Sequence, residues 1–195
     1  MEDDFSFALF QWHRAVVAPA PPPPGSPIVL LLDPAFTATE QSDESAFAVT
    51  YTSCRESDGV NVLNVLDMAA NRWKGGKLAD EALSLIELWS PIKFSYENGT
   101  GMDFFYDLLI LKASLKDVTL PRIEAFTPHN GRLQKSRRIR RLQTVFDVNP
   151  PAIIFHHGPY IEKLMEQAER FRMNGDKKRK KNDMLDSLAL SCGYR

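Results

Sequence analysis

Carboxylate side chains stand at three separated places in this 195-residue chain. Asp33 ends an aliphatic run, Glu97 ends a second apolar run, and Asp183 and Asp186 lie three residues apart in a late helical segment. Acids at the ends of two strands and on one helix can converge on a pair of hard cations, because Mg²⁺ and Mn²⁺ prefer oxygen ligands. Many enzymes that cut phosphodiesters use such a pair. The order of the acids therefore predicts a metal-dependent nuclease site.

Each acid also has an ordinary structural explanation. Asp33 precedes Pro34 and could belong to a turn or cap a helix, and Glu97 precedes a glycine-rich turn and could be a surface acid. Asp183 could be an N-terminal helix acid that the helix dipole stabilises. Asp186 lies among apolar residues, where crowding of like charges raises carboxyl pKa values unless a cation is bound. We favour Asp183 as a metal ligand and Asp186 as a second ligand or a support.

Basic residues are concentrated in two segments, although the formal net charge is only −1. Residues 132–141 predict an amphipathic helix with a cationic outer face, and residues 177–181 directly precede the acidic helix. The alternatives are a solvated helix face and a solvated loop or localisation signal. We predict phosphate contacts, which position nucleic acid without reading its sequence, from Lys135, Arg137, Arg138, Arg140, Arg141, Lys177, Lys178, Arg179, Lys180 and Lys181.

The hydrophobic pattern alternates between strand and helix periodicity from Pro27 onward. Strands are predicted at 28–33, 46–53, 60–67, 91–96, 122–126 and 152–155. Helices are predicted at 78–89, from near 102, at about 133–144, near 159–173 and at 183–191. Short turns between the first three strands indicate an antiparallel meander. This order is that of the ribonuclease H-like fold, an α/β fold with a mixed sheet flanked by helices, whose acids follow the first and fourth strands and lie on a late helix.

The N-terminal region is set apart by its composition. Residues 18–27 contain six prolines and should be an extended linker. Residues 5–17 are too apolar for a free tail, so they either pack back on the domain or end a preceding one. We therefore divide the chain into an N-terminal segment with an interdomain linker, 1–27, and a nuclease domain, 28–195.

The composition also restricts the cellular setting. The two cysteines, Cys54 and Cys192, have no paired spacing, which favours a reducing cytosol over a disulfide framework or a zinc site. No stretch approaches the roughly 20 apolar residues of a membrane span, and the acidic N-terminus is unlike a signal peptide. The chain is therefore predicted to work in the cytoplasm, without a membrane partner.

The ordered set of motifs resembles the C-terminal nuclease domain of the large terminase subunit, the DNA-packaging motor protein of tailed bacteriophages. The resemblance covers nearly the whole chain and rests on Leu-Leu-Leu-Asp-Pro-Ala (30–35), Ser-Asp-Glu-Ser-Ala (42–46), Glu-Asn-Gly-Thr-Gly (97–101), Lys-Ser-Arg-Arg-Ile-Arg-Arg-Leu (135–142) and Asn-Asp-Met-Leu-Asp-Ser-Leu-Ala-Leu (182–190). It implies cleavage of concatemeric double-stranded viral DNA in the host cytoplasm. It also implies two Mg²⁺ or Mn²⁺ ions held by Asp33, Glu97 and Asp183.

Two departures from that family pattern matter. The family often has two adjacent aspartates where this chain has Asn182 and Asp183, so the third ligand stays open between Asp183 and Asp186. The chain also lacks the glycine-rich phosphate loop of an ATPase. The resemblance then implies an ATPase domain of the same motor, the portal and the small terminase subunit as partners.

Two other functions fit the same residues. One is a junction resolvase or recombinase of the same fold, which would prefer branched DNA to a linear duplex. The other is a DNA-binding or motor-docking module without catalytic activity, in which the acids are structural and no divalent cation binds.

Overall fold

The computed structural model describes residues 14–35, 44–73, 75–127, 131–171 and 183–193. The strands are β1 (Val16–Val17), β2 (Val29–Asp33), β3 (Ser45–Arg55), β4 (Val60–Asn71), β5 (Lys93–Glu97), β6 (Arg122–Phe126) and β7 (Ile153–His156). The helices are α1 (Gly76–Trp89), α2 (Met102–Lys116), α3 (Gly131–Phe146), α4 (Tyr160–Arg170) and α5 (Asp183–Gly193). The predicted alternation of strands and helices is confirmed.

The seven strands form one mixed sheet in the order β1-β7-β4-β3-β2-β5-β6. Strands β2, β3 and β4 form the antiparallel meander that the short turns predict. All other neighbouring strands are parallel, with β5 and β6 added beside β2 and β7 and β1 added beside β4. The predicted ribonuclease H-like arrangement of antiparallel and parallel strands is therefore present.

Helices cover both faces of the sheet. On one face, α3, α4 and α5 bury their apolar sides against β3, β4 and β7, around Phe155 and Leu188. On the other face, α1 and α2 pack over β2, β3 and β5, around Phe47 and Phe94. Strand β2 is an interior strand of a sheet that helices cover on both faces, so both sets of its alternating side chains are buried, which explains its continuous apolar sequence.

Most predicted bounds differ from the observed ones by one to three residues, and two differences are of more consequence. Strand β4 continues to Asn71, four residues beyond the predicted end, because its partner β3 is nearly as long and pairs with it to the last residue. Val16 and Val17 pair with β7, so part of the segment 1–27 belongs to the sheet. The domain boundary at residue 27 otherwise remains a prediction. No helix in the described ranges is long and apolar enough to cross a membrane.

Candidate active site

Two of the predicted acids lie side by side at one edge of the sheet. Asp33 is the last residue of β2 and Glu97 the last residue of β5. The two strands are parallel neighbours, and Leu32 is in register with Tyr96, so the next residue of each strand is an acid. Carboxyl ends of parallel strands meet at one edge of a sheet, which is where open α/β sheets commonly bind ligands.

The other two acids approach this edge from helix α5. Asp183 and Asp186 occupy its first turn, and α5 packs against β2 and β3. Both side chains are almost fully buried, each with 2% of its surface exposed. The Asp183 carboxylate accepts a hydrogen bond from the backbone N–H of Glu44, at 2.8 Å. The Gln167 side chain accepts one from the N–H of Met184, at 3.0 Å, so the start of α5 is held on two sides.

Two cations of helix α3 neutralise the α5 acids. Arg138 donates to both carboxylate oxygens of Asp186, with N–O distances of 2.7 to 2.9 Å. The Nζ atom of Lys135 lies 3.3 Å from an oxygen of Asp183 and 3.3 Å from an oxygen of Asp186. A planar guanidinium that binds both oxygens of a carboxylate is held in a defined orientation, whereas an ammonium group acts as a point charge.

The electrostatics join the strand acids and the helix acids into one cluster. Burial raises the pKa of Asp33 well above its usual value, and the charges of Asp186, Glu97 and Asp183 raise this pKa further, while Lys135 lowers it. Burial also raises the pKa of Glu97; Arg138 opposes that shift and Asp186 adds to it. Like charges that perturb one another in this way lie close together.

The same cluster changes the charge state of its lysine. Burial alone would lower the pKa of Lys135, but Asp186, Asp33 and Asp183 together raise it above its ordinary value. Lys135 is therefore firmly protonated. Its ammonium group interacts with Asp33 of β2 as well as with both acids of α5.

The residues fit hard divalent cations by charge and by donor type. Four carboxylates supply only oxygen donors, and their mutual repulsion is relieved when a dication binds. In the described part of the chain, however, no three His, Cys, Asp or Glu side chains are arranged around one point closely enough to hold a metal ion. The α5 carboxylates face Lys135 and Arg138 instead, so Asp183 would have to exchange an ammonium partner for a metal.

The predicted DNA-contacting residues fall into three groups. Lys135 and Arg138 face the acids of α5, while Arg140 and Arg141 are exposed on α3. Residues 177–181 and the side chain of Arg137 lie outside the described residues.

The pairing of α3 with α5 is the feature that the sequence interpretation missed. Lys135 and Arg138 are spaced three residues apart, as are Asp183 and Asp186. Opposite charges repeated at the same spacing on two helices can meet when the helices pack side by side. The equal spacing of these charges was the sequence feature that could have predicted the pairing of α3 with α5.

Comparison with known proteins gives the fold but no sequence relative. No protein-family model matches the sequence, and no curated protein matches it either. Among solved structures, the P22 large terminase nuclease domain matches with a TM-score of 0.59 and 12% identity, over 96% of this chain and 90% of that one. The nuclease domain of the large terminase subunit gp2 of bacterial virus Sf6 matches with a TM-score of 0.52 and 15% identity, over 85% and 87% of the two chains. A mutant of the Sf6 domain, solved with manganese and beta-thujaplicinol, matches with a TM-score of 0.55 and 16% identity, over 85% and 87%.

Proposed function

We propose that this protein is a metal-dependent endonuclease that cuts concatemeric double-stranded viral DNA during genome packaging. The observation that carries the proposal is that Asp33 and Glu97 end neighbouring parallel strands at one edge of the sheet, within electrostatic reach of Asp183 and Asp186 on α5. The similarity of the fold to the P22 and Sf6 terminase nuclease domains supports the packaging role. The manganese in the Sf6 structure supports Mn²⁺ or Mg²⁺ as the cofactor.

The four acids have different roles in the proposed site. Asp33, Glu97 and Asp183 would hold two metal ions, and Asp33 is the central acid of the cluster because its carboxylate interacts with all three other acids. Asp186 is a support, because Arg138 already occupies both of its oxygens. Bound ions supply an activated water and stabilise the leaving oxygen of the phosphodiester.

The protein's own cations would orient the DNA. Arg140 and Arg141 are exposed on α3, on the helix that also brings Lys135 and Arg138 to the acids. Phosphates bound to the outer arginines would therefore be held near the cluster. The segment 177–181 adds five further cations directly before α5 in the sequence. Contacts of this kind give little sequence preference and weaken as salt rises.

The packaging role implies partners that bring the DNA. Because the chain has no glycine-rich phosphate loop, DNA translocation would depend on an ATPase domain of the same motor. The portal and the small terminase subunit would be the further partners. Cleavage by this domain would start and end each round of packaging.

Cleavage of supercoiled plasmid tests the proposal. We expect the wild-type protein to nick and linearise plasmid with Mn²⁺ or Mg²⁺ and to be inactive in EDTA. Asp33→Asn should reduce the rate by roughly 10³-fold, equivalent to about 4 kcal/mol of transition-state stabilisation. Asp103→Asn, the same change at an exposed acid in the first turn of α2, is the matched control and should cleave normally.

Three outcomes would count against the proposal. Full activity of a folded Asp33→Asn protein would remove the assigned site. Folded wild type that neither cleaves DNA nor binds Mn²⁺ in calorimetry would support a docking module without catalytic activity. Cleavage of a four-way junction in strong preference to linear duplex would support a resolvase.

A further inference from the structure

Helix α2 has a second apolar side that faces away from the core. Its inner side buries residues spaced three or four apart, namely Met102, Phe105, Leu109 and Ala113. On the opposite side, Phe104, Leu111 and Leu115 leave 64%, 55% and 77% of their surfaces exposed. Single exposed leucines are normal on a protein surface, but a contiguous apolar row indicates an interaction surface.

The exposed row has the spacing of a coiled-coil seam. Phe104, Leu108, Leu111 and Leu115 follow one another at intervals of four, three and four residues. Of these, Leu108 is half-buried and also packs against the core, whereas the other three are exposed. Alternating intervals of three and four residues, which repeat every seven residues, keep apolar side chains on one line along a helix, as at the a and d positions of a heptad. In this register, Leu108 and Leu115 occupy a positions, and Phe104 and Leu111 occupy d positions. The row, here called the α2 seam, extends over about 16 Å of helix.

The charges beside the α2 seam favour a second copy of α2 in parallel orientation as the partner. Asp107 lies at the g position and Lys112 at the following e position, on opposite sides of the seam. Two parallel copies of α2 would place Asp107 of each copy beside Lys112 of the other, five residues further on. Antiparallel copies would bring each flank against its own counterpart, so like charges would meet. Within one copy, the ammonium group of Lys112 forms an ion pair with Asp80 of α1, with an N–O distance of 2.7 Å, which keeps the lysine beside the seam.

We propose that the α2 seam binds the α2 seam of a second copy of this chain, with the two helices parallel about a two-fold axis. An isologous pair needs a self-complementary surface, and the arrangement of Asp107 and Lys112 provides one. Two heptads form a small interface, so the dimer is weak, with a Kd of about 10 μM to 1 mM. Such a dimer carries two acid clusters, one available for each strand of a duplex. The proposal does not depend on cleavage activity.

Sedimentation equilibrium of the full chain tests the pairing. The average mass of wild type should rise from 22.1 kDa towards twice that value as the concentration increases from about 10 μM to about 1 mM. Leu111→Glu should weaken association at least about 10-fold, since it places a charge in the seam. Leu88→Glu is the matched control, because it makes the same change at another exposed leucine, on α1, and should shift Kd less than about twofold.

Disulfide cross-linking distinguishes the two orientations. In a Cys54→Ser background, which removes an exposed thiol, Leu115→Cys should cross-link to the same residue of a second copy. Antiparallel helices would place these two cysteines about 16 Å apart, too far for a disulfide. A wild-type chain that stays monomeric at about 1 mM, equal effects of Leu111→Glu and Leu88→Glu, or a dimer that Leu115→Cys does not cross-link would each overturn the proposal.

Discussion

The acids from the strands and the acids from the helix face different surroundings. Asp183 and Asp186 on α5 are buried and paired with Lys135, Arg138 and a backbone N–H. Asp33 and Glu97 at the strand ends are only partly buried, and among the described residues no hydrogen bond or ion pair to either carboxylate is found. Their pKa values are both raised, mainly by burial.

This difference indicates that the helix acids stabilise the fold, whereas the strand acids are available to bind a ligand. A fully buried carboxylate is tolerated only when cations and donors compensate it, so the helix acids are part of the folded framework. The strand acids destabilise the metal-free domain when they are ionised. An added dication would reverse that effect, which is the behaviour expected of a binding site and not of a core ion pair.

The largest expected change in stability comes from removing the cation that neutralises a helix acid. Arg138→Met should lower the free energy of unfolding by about 3–5 kcal/mol, because Asp186 would stay buried without its guanidinium partner. Arg141→Met, an exposed change on the same helix, should stay within about 0.5 kcal/mol of wild type. Urea denaturation in EDTA measures both. Equal stability of the two variants would show that the Arg138–Asp186 pair does not support the fold.

Removing a strand acid should instead increase the stability of the metal-free protein. Asp33→Asn removes, at nearly constant shape, a charge that burial and the neighbouring acids destabilise and that Lys135 offsets only in part, so the Tm in EDTA should rise by about 2–5 °C. Asp186→Asn should lower the Tm under the same conditions, because it removes the carboxylate that Arg138 binds. Mn²⁺ should raise the Tm of wild type and leave that of Asp33→Asn nearly unchanged. If both variants lost stability in EDTA, the distinction between the two pairs of acids would be wrong.

The pH dependence provides a smaller test of the same contrast. The folded-state pKa of Asp33 lies above its unfolded value, so its contribution to stability is complete at low pH and is lost as pH rises through the folded pKa. Metal-free wild type should therefore gain stability relative to Asp33→Asn as pH falls from about 8 to about 5. Thermal unfolding of both proteins across that range measures the difference. If the difference in Tm between wild type and Asp33→Asn stayed constant across this pH range, the raised pKa of Asp33 would be contradicted.

The smallest effect is expected from the outward-facing cations. Arg141→Gln should weaken duplex DNA binding modestly and reduce the slope of log K against log salt by about 1, as loss of one phosphate contact does. Lys116→Gln, an exposed cation at the end of α2, is the control and should leave the slope unchanged. Fluorescence anisotropy in EDTA at several salt concentrations measures binding without cleavage. An unchanged slope for Arg141→Gln would remove α3 from the DNA-binding surface.

Much of the fold was predictable from local pattern. Strand β2 is an unbroken aliphatic run that ends at Asp33, and Pro34 cannot continue the ladder. Helix α1 repeats apolar residues at helical intervals, so its bounds were predicted within two residues. Strand β1 was not predicted, because two valines before a proline-rich segment form a strand only when β7 lies beside them. A pairing that short has no local signal.

By itself the sequence determined the order of the elements and the positions of the acids in them, because periodicity and turn residues act over a few positions. It did not determine which cations serve the acids. Lys135 and Arg138 belong to a helix whose pattern suits a solvated, DNA-facing surface, yet both turn towards carboxylates 48 residues away in the sequence. Only the packing of α3 against α5 decided this, because an ion pair between helices depends on their relative placement and not on the sequence of either one.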